Sequence, residues 1–337
     1  MFKSLSLKVI IFGFIFTFFS SFGQSYFIGL FNSSIREDLL ISHGQFGTIY
    51  ASATLLSSFI LIWIGKKIDD MNVFKFSIFV IFLLSFACYF FSTVKILSFL
   101  FVGIFLLRLS GQGLMSHTAT TTVSRYFENA RGKALSITWL GLSAAEFILP
   151  VSIIFLLTFV SWRDIWIYIS LLTLIFLPIV SFILVKKLKL EAREGIKENK
   201  IQKKNIKQWT RSEVIKDYKF YIIALNMLGM PSIATGIFVY QSFIISSKSW
   251  GPFIFAQSFM AYSILSVITL SISGFLIDKF TSRKLLVYMN IPLFFAVLVL
   301  ILFDNPVSSF ILLGLIGISN GFANVLGSST WADIYGV

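Results

Sequence analysis

The sequence predicts an all-α integral membrane protein built from two related helical bundles, the second of which lacks its last two helices. Three observations indicate this fold: an apolar composition, ten apolar stretches long enough to span a bilayer, and a loop sequence that occurs twice. Hydrophobic residues make up 57% and charged residues 13% of the 337 residues, against about 25% charged residues in soluble domains. A soluble core of this length cannot bury so much apolar surface, whereas lipid can surround it.

Ten apolar stretches can each cross a bilayer core about 30 Å thick, which requires about 20 helical residues. The division between the third and fourth stretches is the weakest, because only Thr93, Val94 and Lys95 interrupt the apolar run. The first stretch is too long for the apolar core of a cleaved signal peptide, so we expect it to stay as a helix. The predicted spans are 9–31, 46–65, 76–94, 96–123, 134–160, 165–185, 220–245, 253–277, 285–303 and 307–332.

Lys and Arg are distributed unequally between the two sides of these spans. With the N-terminus inside, the outer segments hold Arg36, Lys95, Arg163 and Lys248, Arg108 lies within a span, and all other Lys and Arg lie in inner segments. Cytoplasmic segments retain Lys and Arg during insertion. This predicts a multi-pass protein of the cell (inner) membrane with its N-terminus in the cytoplasm. The net charge of +13 therefore reflects topology, and nucleic acid is not an expected partner.

One long polar stretch, 186–219, separates the spans into two groups. We expect it to be a basic cytoplasmic linker between an N-terminal six-helix bundle at 1–185 and an incomplete four-helix bundle at 220–337. Thr210 and Glu213 have the spacing of a capping box, which predicts a short interfacial helix before the seventh span. The alternative is a solvated linker whose basic residues contact anionic lipid headgroups.

A loop sequence occurs once in each half, between the second and third spans of that half. The first copy contains Gly65 and Asp69, the second contains Gly274 and Asp278, and basic residues follow both. The same offset in residue number relates the starts of the first four spans to those of the last four, which indicates an internal duplication. This offset aligns the last residue of the chain with Glu128, just after the fourth span. We therefore expect an incomplete gene or a truncated sequence, with a genuine ten-helix protein as the alternative.

Six-helix repeats are characteristic of one transporter architecture, and the chain resembles the major facilitator superfamily in its repeat and in both Gly-x-x-x-Asp loops. The first loop departs from the family pattern at Asn72, where Gly is usual, and has a single basic residue, Lys75. The second loop keeps Arg283 and Lys284 but has Thr281 at the Gly position. The resemblance covers the whole chain and is nearest to bacterial monocarboxylate and oxalate/formate-type members. It implies two bundles around a central cavity that opens alternately to the two sides of the membrane.

The resemblance also implies a cytoplasmic gate, because the loop aspartates close that side of the cavity in the family. An aspartate at a helix end can accept hydrogen bonds from a neighbouring helix N-terminus and can pair with Arg. Asp278 is expected to face the start of helix five near Arg131, and Asp69 to face a helix eleven that this sequence lacks. The candidate gate residues are Gly65, Asp69, Arg131, Gly274, Asp278, Arg283 and Lys284.

Two charged residues, Arg108 and Glu146, fall deep inside predicted spans. Each lies about 18 Å into its helix at a rise of 1.5 Å per residue, near the midplane, where a charge costs at least ~2.5 kcal/mol. One hypothesis is a structural ion pair between neighbouring helices. In the other hypothesis, Arg108 binds a carboxylate of the substrate with its planar guanidinium fork. Glu146, whose carboxyl is desolvated, then binds the proton that is transported with the substrate. Both hold if substrate competes with Glu146 for Arg108.

Further candidates lie near Arg108 and in the helices that line the cavity in the family. Arg108 begins a segment, Arg-Leu-Ser-Gly-Gln-Gly, similar to the family's fourth-helix motif, but its glycines fall one residue early. Gln112 is one turn from Arg108 on the same face and is a predicted cavity residue. Pro231 and its flanking glycines, Gly229 and Gly236, predict a break in the seventh helix. The first and seventh helices contribute five more candidate cavity residues: Gln24, Tyr26, Asn226, Tyr240 and Gln241. The alternative for each of them is a packing contact between helices.

Together these features predict a secondary transporter that moves a small organic anion, such as a monocarboxylate, by alternating access. The two histidines, His43 and His117, lie in unrelated segments, so neither a metal site nor a cofactor nor a membrane enzyme is expected. Expected partners are the substrate, coupled protons and membrane lipids, and the chain is expected to be monomeric. The alternatives are an exporter of hydrophobic drug-like compounds and an inactive truncated gene product.

Overall fold

A computed structural model describes residues 4–127, 131–186, 209–280 and 282–335, and the secondary structure there is helical throughout. Within these ranges, ten helical segments are long and apolar enough to cross a membrane, which confirms the predicted fold class. The helices are α1 (Ser4–Ser20), α2 (Ser25–Leu30), α3 (Asn32–Leu39), α4 (His43–Asp70), α5 (Val73–Ser92), α6 (Leu97–Leu107), α7 (Ser116–Tyr126), α8 (Arg131–Leu156), α9 (Trp162–Val185), α10 (Arg211–Lys216), α11 (Tyr218–Val239), α12 (Gln241–Ser247), α13 (Pro252–Phe280), α14 (Ser282–Leu286), α15 (Ile291–Leu302) and α16 (Ser308–Tyr335).

The chain divides into two compact units. The first contains Met1–Glu194 and Val239–Phe243, and the second contains Gly195–Phe238 and Ile244–Val337. In the first unit, α1 packs against α7 and α8, and α5 packs against α9. Aromatic rings fill its interior, where Phe27 and Phe91 meet the Trp166 ring edge-on at centroid distances of 5.5 and 4.9 Å. In the second unit, α16 packs along α13 and α15.

The weakest predicted boundary, between the third and fourth spans, is confirmed. Helix α5 ends at Ser92 and α6 begins at Leu97, so the short interruption around Lys95 does separate two helices. The first span is less regular than predicted, because a 3-10 turn at Ser21–Gly23 follows α1 and Gln24 is extended (φ −80°, ψ 152°). The first span is therefore built from consecutive short helices, and its backbone turns away from α-helical geometry near its middle.

The predicted break in the seventh span is wrong. Helix α11 runs without interruption from Tyr218 to Val239, through Pro231 and both flanking glycines. A proline inside a helix removes one backbone hydrogen bond, but ending the helix there would leave several backbone groups without partners in lipid. Continuing the helix is therefore the less costly outcome, and the interruption comes later, at Tyr240, before α12.

The ninth span contains a break that the sequence did not indicate, between α14 and α15. Two asparagine side chains supply hydrogen bonds at this turn. The Asn226 Nδ2 of α11 donates to the Leu286 carbonyl at 3.0 Å, and the Asn290 Nδ2 donates to the Asn226 carbonyl at 2.7 Å. These amides hold the turn against α11, so a break in an apolar span is tolerated where a neighbouring helix provides polar partners.

The helix before α11 is tied to the end of α16. The predicted capping box is present at the start of α10, where Thr210 and Glu213 bond each other's backbone N–H groups. The Trp209 N–H donates to the Tyr335 carbonyl at 3.0 Å, and the Tyr335 hydroxyl donates to the Asp217 carboxylate at 3.0 Å. This segment of the second unit is thus fixed to the unit's last described helix by hydrogen bonds at both of its ends.

This contact predicts an alkaline loss of stability. Burial and the hydrogen bond to Asp217 raise the pKa of Tyr335 to about 12, against an ordinary value of about 10. The contact therefore contributes fully below pH about 10, and its contribution is lost as the pH rises through about 12. We expect Tyr335→Phe to lower the unfolding free energy at neutral pH by about 1 kcal/mol, the value of one hydrogen bond, and to flatten the pH dependence in that window.

Thermal unfolding of the purified protein as a function of pH measures both effects. Tyr288→Phe is a matched control, because the Tyr288 side chain is 60% exposed and its removal should leave the alkaline loss unchanged. Identical pH profiles for wild type and Tyr335→Phe would show that this hydroxyl has no part in the alkaline transition.

Candidate functional site

The fourth span changes its helical geometry at its centre. Between α6 and α7, residues Arg108–Met115 form a π-helix with the sequence RLSGQGLM. Such segments are rare and frequently mark functional sites, because the wider turn redirects side chains. Here the π-helical segment begins at Arg108, the deep cation of the sequence, and includes Gln112 one turn later.

Two glycines bring this segment against the 3-10 turn of the first span. A Cβ atom on Gly23 would lie 2.2 Å from the Leu107 carbonyl oxygen, and one on Gly111 would lie 2.6 Å from the Gly23 nitrogen. Both contacts are with backbone atoms, which cannot rotate away as side chains do. The close approach of the two spans thus requires that neither residue has a side chain, in keeping with the use of small residues at helix contacts in membranes.

The same approach positions Arg108. Its side chain is buried, with 7% of its surface exposed, and its Nη1 donates to the Gly23 carbonyl at 3.1 Å. Its guanidinium carbon lies 5.4 Å from the centroid of the Tyr50 ring on α4, a favourable cation–π distance. Its Nε is buried and has no hydrogen-bond partner among the described residues. The guanidinium is therefore held by one hydrogen bond and one ring contact, and its Nε donor is unused.

Glu146 lies on α8 in the same unit and is also buried, with 6% of its surface exposed. The predicted structural pair does not form, because in the described part of the chain no ion pair joins Glu146 to Arg108. Tyr26 of α2, which is 2% exposed, is also buried in the first unit.

Sequence reasoning missed Tyr50, whose ring contacts Arg108. The Tyr50 hydroxyl and the Gln112 Oε1 are both buried without a hydrogen-bond partner in the described ranges. Buried polar atoms are normally paired, so these two atoms and the Arg108 Nε mark a place with unused bonding capacity. A tyrosine in an apolar helix is too common to signal this role by itself. Tyr50, Arg108 and Gln112 are called the arginine cluster below.

The candidates from the seventh span fall in two different places. Asn226 is occupied at the turn of the ninth span, as described above, and has a packing role there. Gln241 is 2% exposed and belongs to the first unit, where its Nε2 donates to the Tyr26 carbonyl at 3.1 Å. The Tyr240 hydroxyl packs so closely on Gly47 that a Cβ there would lie 1.8 Å from it. Gln24 is half-buried at the extended residue of the first span.

A second polar residue that the sequence did not single out is Asn32, which is fully buried. Its Nδ2 donates to the Val239 carbonyl at 3.0 Å. Its Oδ1 accepts from Arg36 Nε at 2.8 Å and from the Ser242 hydroxyl at 2.7 Å. All these residues belong to the first unit, so the short segment 239–243 is held there by the Asn32 side chain and by the bond from its own Gln241 amide to the Tyr26 carbonyl.

The first gate sequence is helical rather than a loop. Helix α4 continues through Asp70, because no helix-breaking residue occurs before Asn72, whose side chain caps α5. Asp69 forms an ion pair with Arg125 of α7, and Arg125 Nη1 also donates to the Ile68 carbonyl at 3.1 Å. A cavity of about 260 Å³ lies beside this pair, lined by Leu61, Ile62, Gly65, Lys66, Asp69 and His117.

The second gate sequence is only partly described. Helix α13 continues through Phe280, so its backbone is helical at Gly274 and Asp278, and Lys284 of α14 is exposed. The side chains at Arg131, Asp278 and Arg283 lie outside the described residues, and so does the expected contact between Asp278 and Arg131.

Comparisons with known proteins identify the family. The sequence model of the Major Facilitator Superfamily matches residues 13–336. A bacterial homologue of the human lysosomal transporter Spinster, solved in an inward-facing and unoccupied conformation, aligns with a TM-score of 0.71 and 14% identity over 99% of this chain and 77% of that one. The nucleoside transporter NupG aligns with a TM-score of 0.68 and 14% identity over 98% and 83%. No curated protein sequence gives a match.

The structural likenesses, at such low identity, show the fold. The family match extends along nearly the whole sequence, across all ten helical segments that are long and apolar enough to span a membrane in the described ranges. The chain therefore belongs to the Major Facilitator Superfamily, and is a secondary transporter rather than an enzyme.

Proposed function

We propose that this transporter carries a small organic anion, such as a monocarboxylate, and binds it at Arg108. The observation that supports this most is a buried guanidinium with an unused Nε donor and no carboxylate partner in the described residues. A buried ion without a counter-charge is strongly destabilising, especially within a membrane. An anionic substrate that binds there supplies the missing charge, and the planar guanidinium fork matches the two oxygens of a carboxylate.

Glu146 is the proposed proton-binding group of the same site. It is buried in the first unit, and no ion pair joins it to Arg108 in the described ranges. A carboxyl that is not locked by a permanent cation can bind and release a proton in each transport cycle. An anion bound at Arg108 favours protonation of a carboxyl in the same unit, which provides a route for coupling substrate to protons.

The proposed orientation places the N-terminus and the 186–219 loop in the cytoplasm of an inner-membrane, monomeric protein, as the Lys and Arg distribution indicates. The ends of α4 and α7, with the Asp69–Arg125 pair, then lie at the cytoplasmic face. We assign the cytoplasmic gate of an alternating-access cycle to this end and to its repeat. The repeat comprises Gly274, Asp278, Arg283 and Lys284, with Arg131 as the expected partner of Asp278.

Transport by the purified protein in liposomes tests this function. We expect saturable uptake of radiolabelled lactate or oxalate that is stimulated by a proton gradient, and stabilisation of the detergent-solubilised protein by the same anions. Transport of a hydrophobic cationic dye, without uptake or binding of any carboxylate, would instead establish the drug-exporter alternative. Absence of both uptake and thermal stabilisation across a panel of carboxylates would refute the anion assignment.

A further inference from the structure

The fourth span contacts α4 at two points that a regular helix would not present on one side. The guanidinium carbon of Arg108 lies 5.4 Å from the centroid of the Tyr50 ring, and further along the span the His117 side chain bonds α4 through its Nε2. Arg108 and His117 are nine positions apart, so in a regular α-helix their side chains would project from opposite sides. The π-helical segment Arg108–Met115 lies between them. Its wider turns bring His117 back to the side of the helix that faces α4.

The partner of His117 on α4 is the backbone of Gly65. The His117 Nε2 lies 3.0 Å from the Gly65 carbonyl oxygen, and because a carbonyl only accepts hydrogen bonds, this nitrogen carries the proton and donates it. Gly65 is buried, and a Cβ on it would lie 3.4 Å from the His117 Nε2. Any side chain larger than a methyl group would therefore meet the ring. The glycine thus lets the imidazole lie directly against the backbone of α4.

This hydrogen bond holds α4 one turn before Asp69, whose carboxylate pairs with Arg125. The Asp69 side chain is 51% exposed, and exposed ion pairs stabilise a structure little. The bond from His117 is partly buried, where less polar surroundings strengthen a hydrogen bond. The cavity of about 260 Å³ at this end of α4 is lined by both Gly65 and His117, so packing alone leaves room for movement there. The imidazole is therefore the stronger of the two polar ties between α4 and α7.

We propose that His117 is a positioning residue for the cytoplasmic gate, and that it sets the position of the α4 end that carries Asp69. The inference rests on the gate function proposed for this end of α4 and adds the side chain that holds it in place. His117 is outside the arginine cluster, so it should govern the rate of the conformational steps and leave the affinity for substrate unchanged. Such steps often limit turnover.

Uptake kinetics with radiolabelled lactate test this role. His117→Leu keeps a side chain of similar size and removes the donor, so Vmax should fall by about 10-fold, the factor that corresponds to one hydrogen bond, with KM unchanged. His117→Gln retains an N–H at a similar reach and should restore most of Vmax, whereas His117→Asn is shorter by one methylene and should not. Thr120→Val is the control, because the Thr120 hydroxyl bonds the Ser116 carbonyl of its own helix at 2.9 Å.

Thiol accessibility tests the same role without a substrate. Leu61 lines the cavity, and the one native cysteine, Cys88, is buried, so Leu61→Cys introduces a single reactive thiol beside the gate. Adding His117→Leu should free the end of α4 and raise the rate of alkylation by a charged maleimide by about 10-fold. Adding His117→Gln instead should leave the rate close to that of Leu61→Cys alone.

The outcomes separate this inference from the proposed function. An unchanged alkylation rate with His117→Leu, a raised KM with an unchanged Vmax, or a His117→Gln protein as impaired as His117→Leu would each overturn the positioning role. Faster alkylation without a fall in Vmax would overturn the gate itself. If wild type does not transport lactate, the anion function fails and the alkylation rates still decide the role of His117. If His117→Leu does not fold, the comparison of His117→Gln with His117→Asn decides in its place.

Discussion

Replacing Arg108 by Ala is expected to reduce carboxylate uptake by about 100-fold or more. The substitution removes the one cation of the arginine cluster, and loss of one partner of a buried, hydrogen-bonded charge pair costs about 3 kcal/mol or more, which corresponds to a factor above 100. Arg108→Lys keeps the charge but loses the planar fork that binds two oxygens, so we expect an intermediate loss of about 10-fold. Initial uptake rates in liposomes, as a function of substrate concentration, measure both.

The stability of the empty protein distinguishes a binding role from a structural one. Arg108 makes one hydrogen bond, to the Gly23 carbonyl, and otherwise carries an uncompensated buried charge. Removing it should therefore leave the melting temperature without substrate unchanged or raise it, as is common when a functional site is relieved of strain. The stabilisation by added carboxylate should disappear.

Arg163→Ala provides the matched control. Arg163 is at the start of α9, paired with Asp38 and bonded to the Ser92 carbonyl at 2.8 Å, and it is outside the arginine cluster. We expect this variant to keep its affinity for carboxylates. An Arg108→Ala protein that melts many degrees lower and still transports carboxylates would show that Arg108 serves the fold alone.

The membrane fold could be predicted because the length of an apolar span and the distribution of Lys and Arg can be read directly along the sequence, without knowledge of contacts between helices. Even the short interruption at Lys95 sufficed to separate α5 from α6. The positions of helix breaks could not be predicted in the same way. Pro231 leaves α11 intact, whereas the turn before α15 is held by Asn226 and Asn290. A break depends on hydrogen bonds from another helix, which are remote in sequence.

The arginine cluster was predictable in part for a related reason. Charges are so rare within apolar spans that Arg108 and Glu146 stand out, and both prove to be buried. Their relation to each other was not predictable, because two ionisable groups at similar depth can face different neighbours. The guanidinium contacts the Tyr50 ring and the Gly23 carbonyl, and no ion pair joins it to Glu146 in the described ranges. Backbone carbonyls and tyrosine rings carry no distinctive sequence signal.

Replacing Gly23 by Ala is expected to destabilise the first unit strongly. The new Cβ would lie 2.2 Å from the Leu107 oxygen and 2.5 Å from the Gln112 nitrogen. Overpacking of a well-packed contact typically costs 1–3 kcal/mol, occasionally more, and here only backbone can yield, so we expect a loss of about 3 kcal/mol. The thermal stability of the purified variant measures it.

The same substitution should weaken transport. Separating the first span from the π-helical segment removes the Gly23 carbonyl from Arg108 and moves Gln112 with its backbone. We therefore expect Gly23→Ala to lower both the apparent affinity for the substrate and the stability of the protein. Arg108→Ala, in contrast, should reduce transport without lowering stability. Gly236→Ala on α11 is the control, because a Cβ there meets no atom within 4 Å and alanine improves helix propensity by up to about 1 kcal/mol.

A double substitution shows whether the two glycines act through one contact. A Cβ on Gly111 would lie 2.6 Å from the Gly23 nitrogen, so Gly111→Ala should also destabilise the protein. Once either methyl group has forced the two backbones apart, the second finds space already opened, and residues in contact couple by 0.5–3 kcal/mol. The double variant should therefore lose clearly less stability than the two single losses combined. Fully additive losses, or a Gly23→Ala protein as stable as Gly236→Ala, would contradict the idea that this glycine contact sets the position of Arg108.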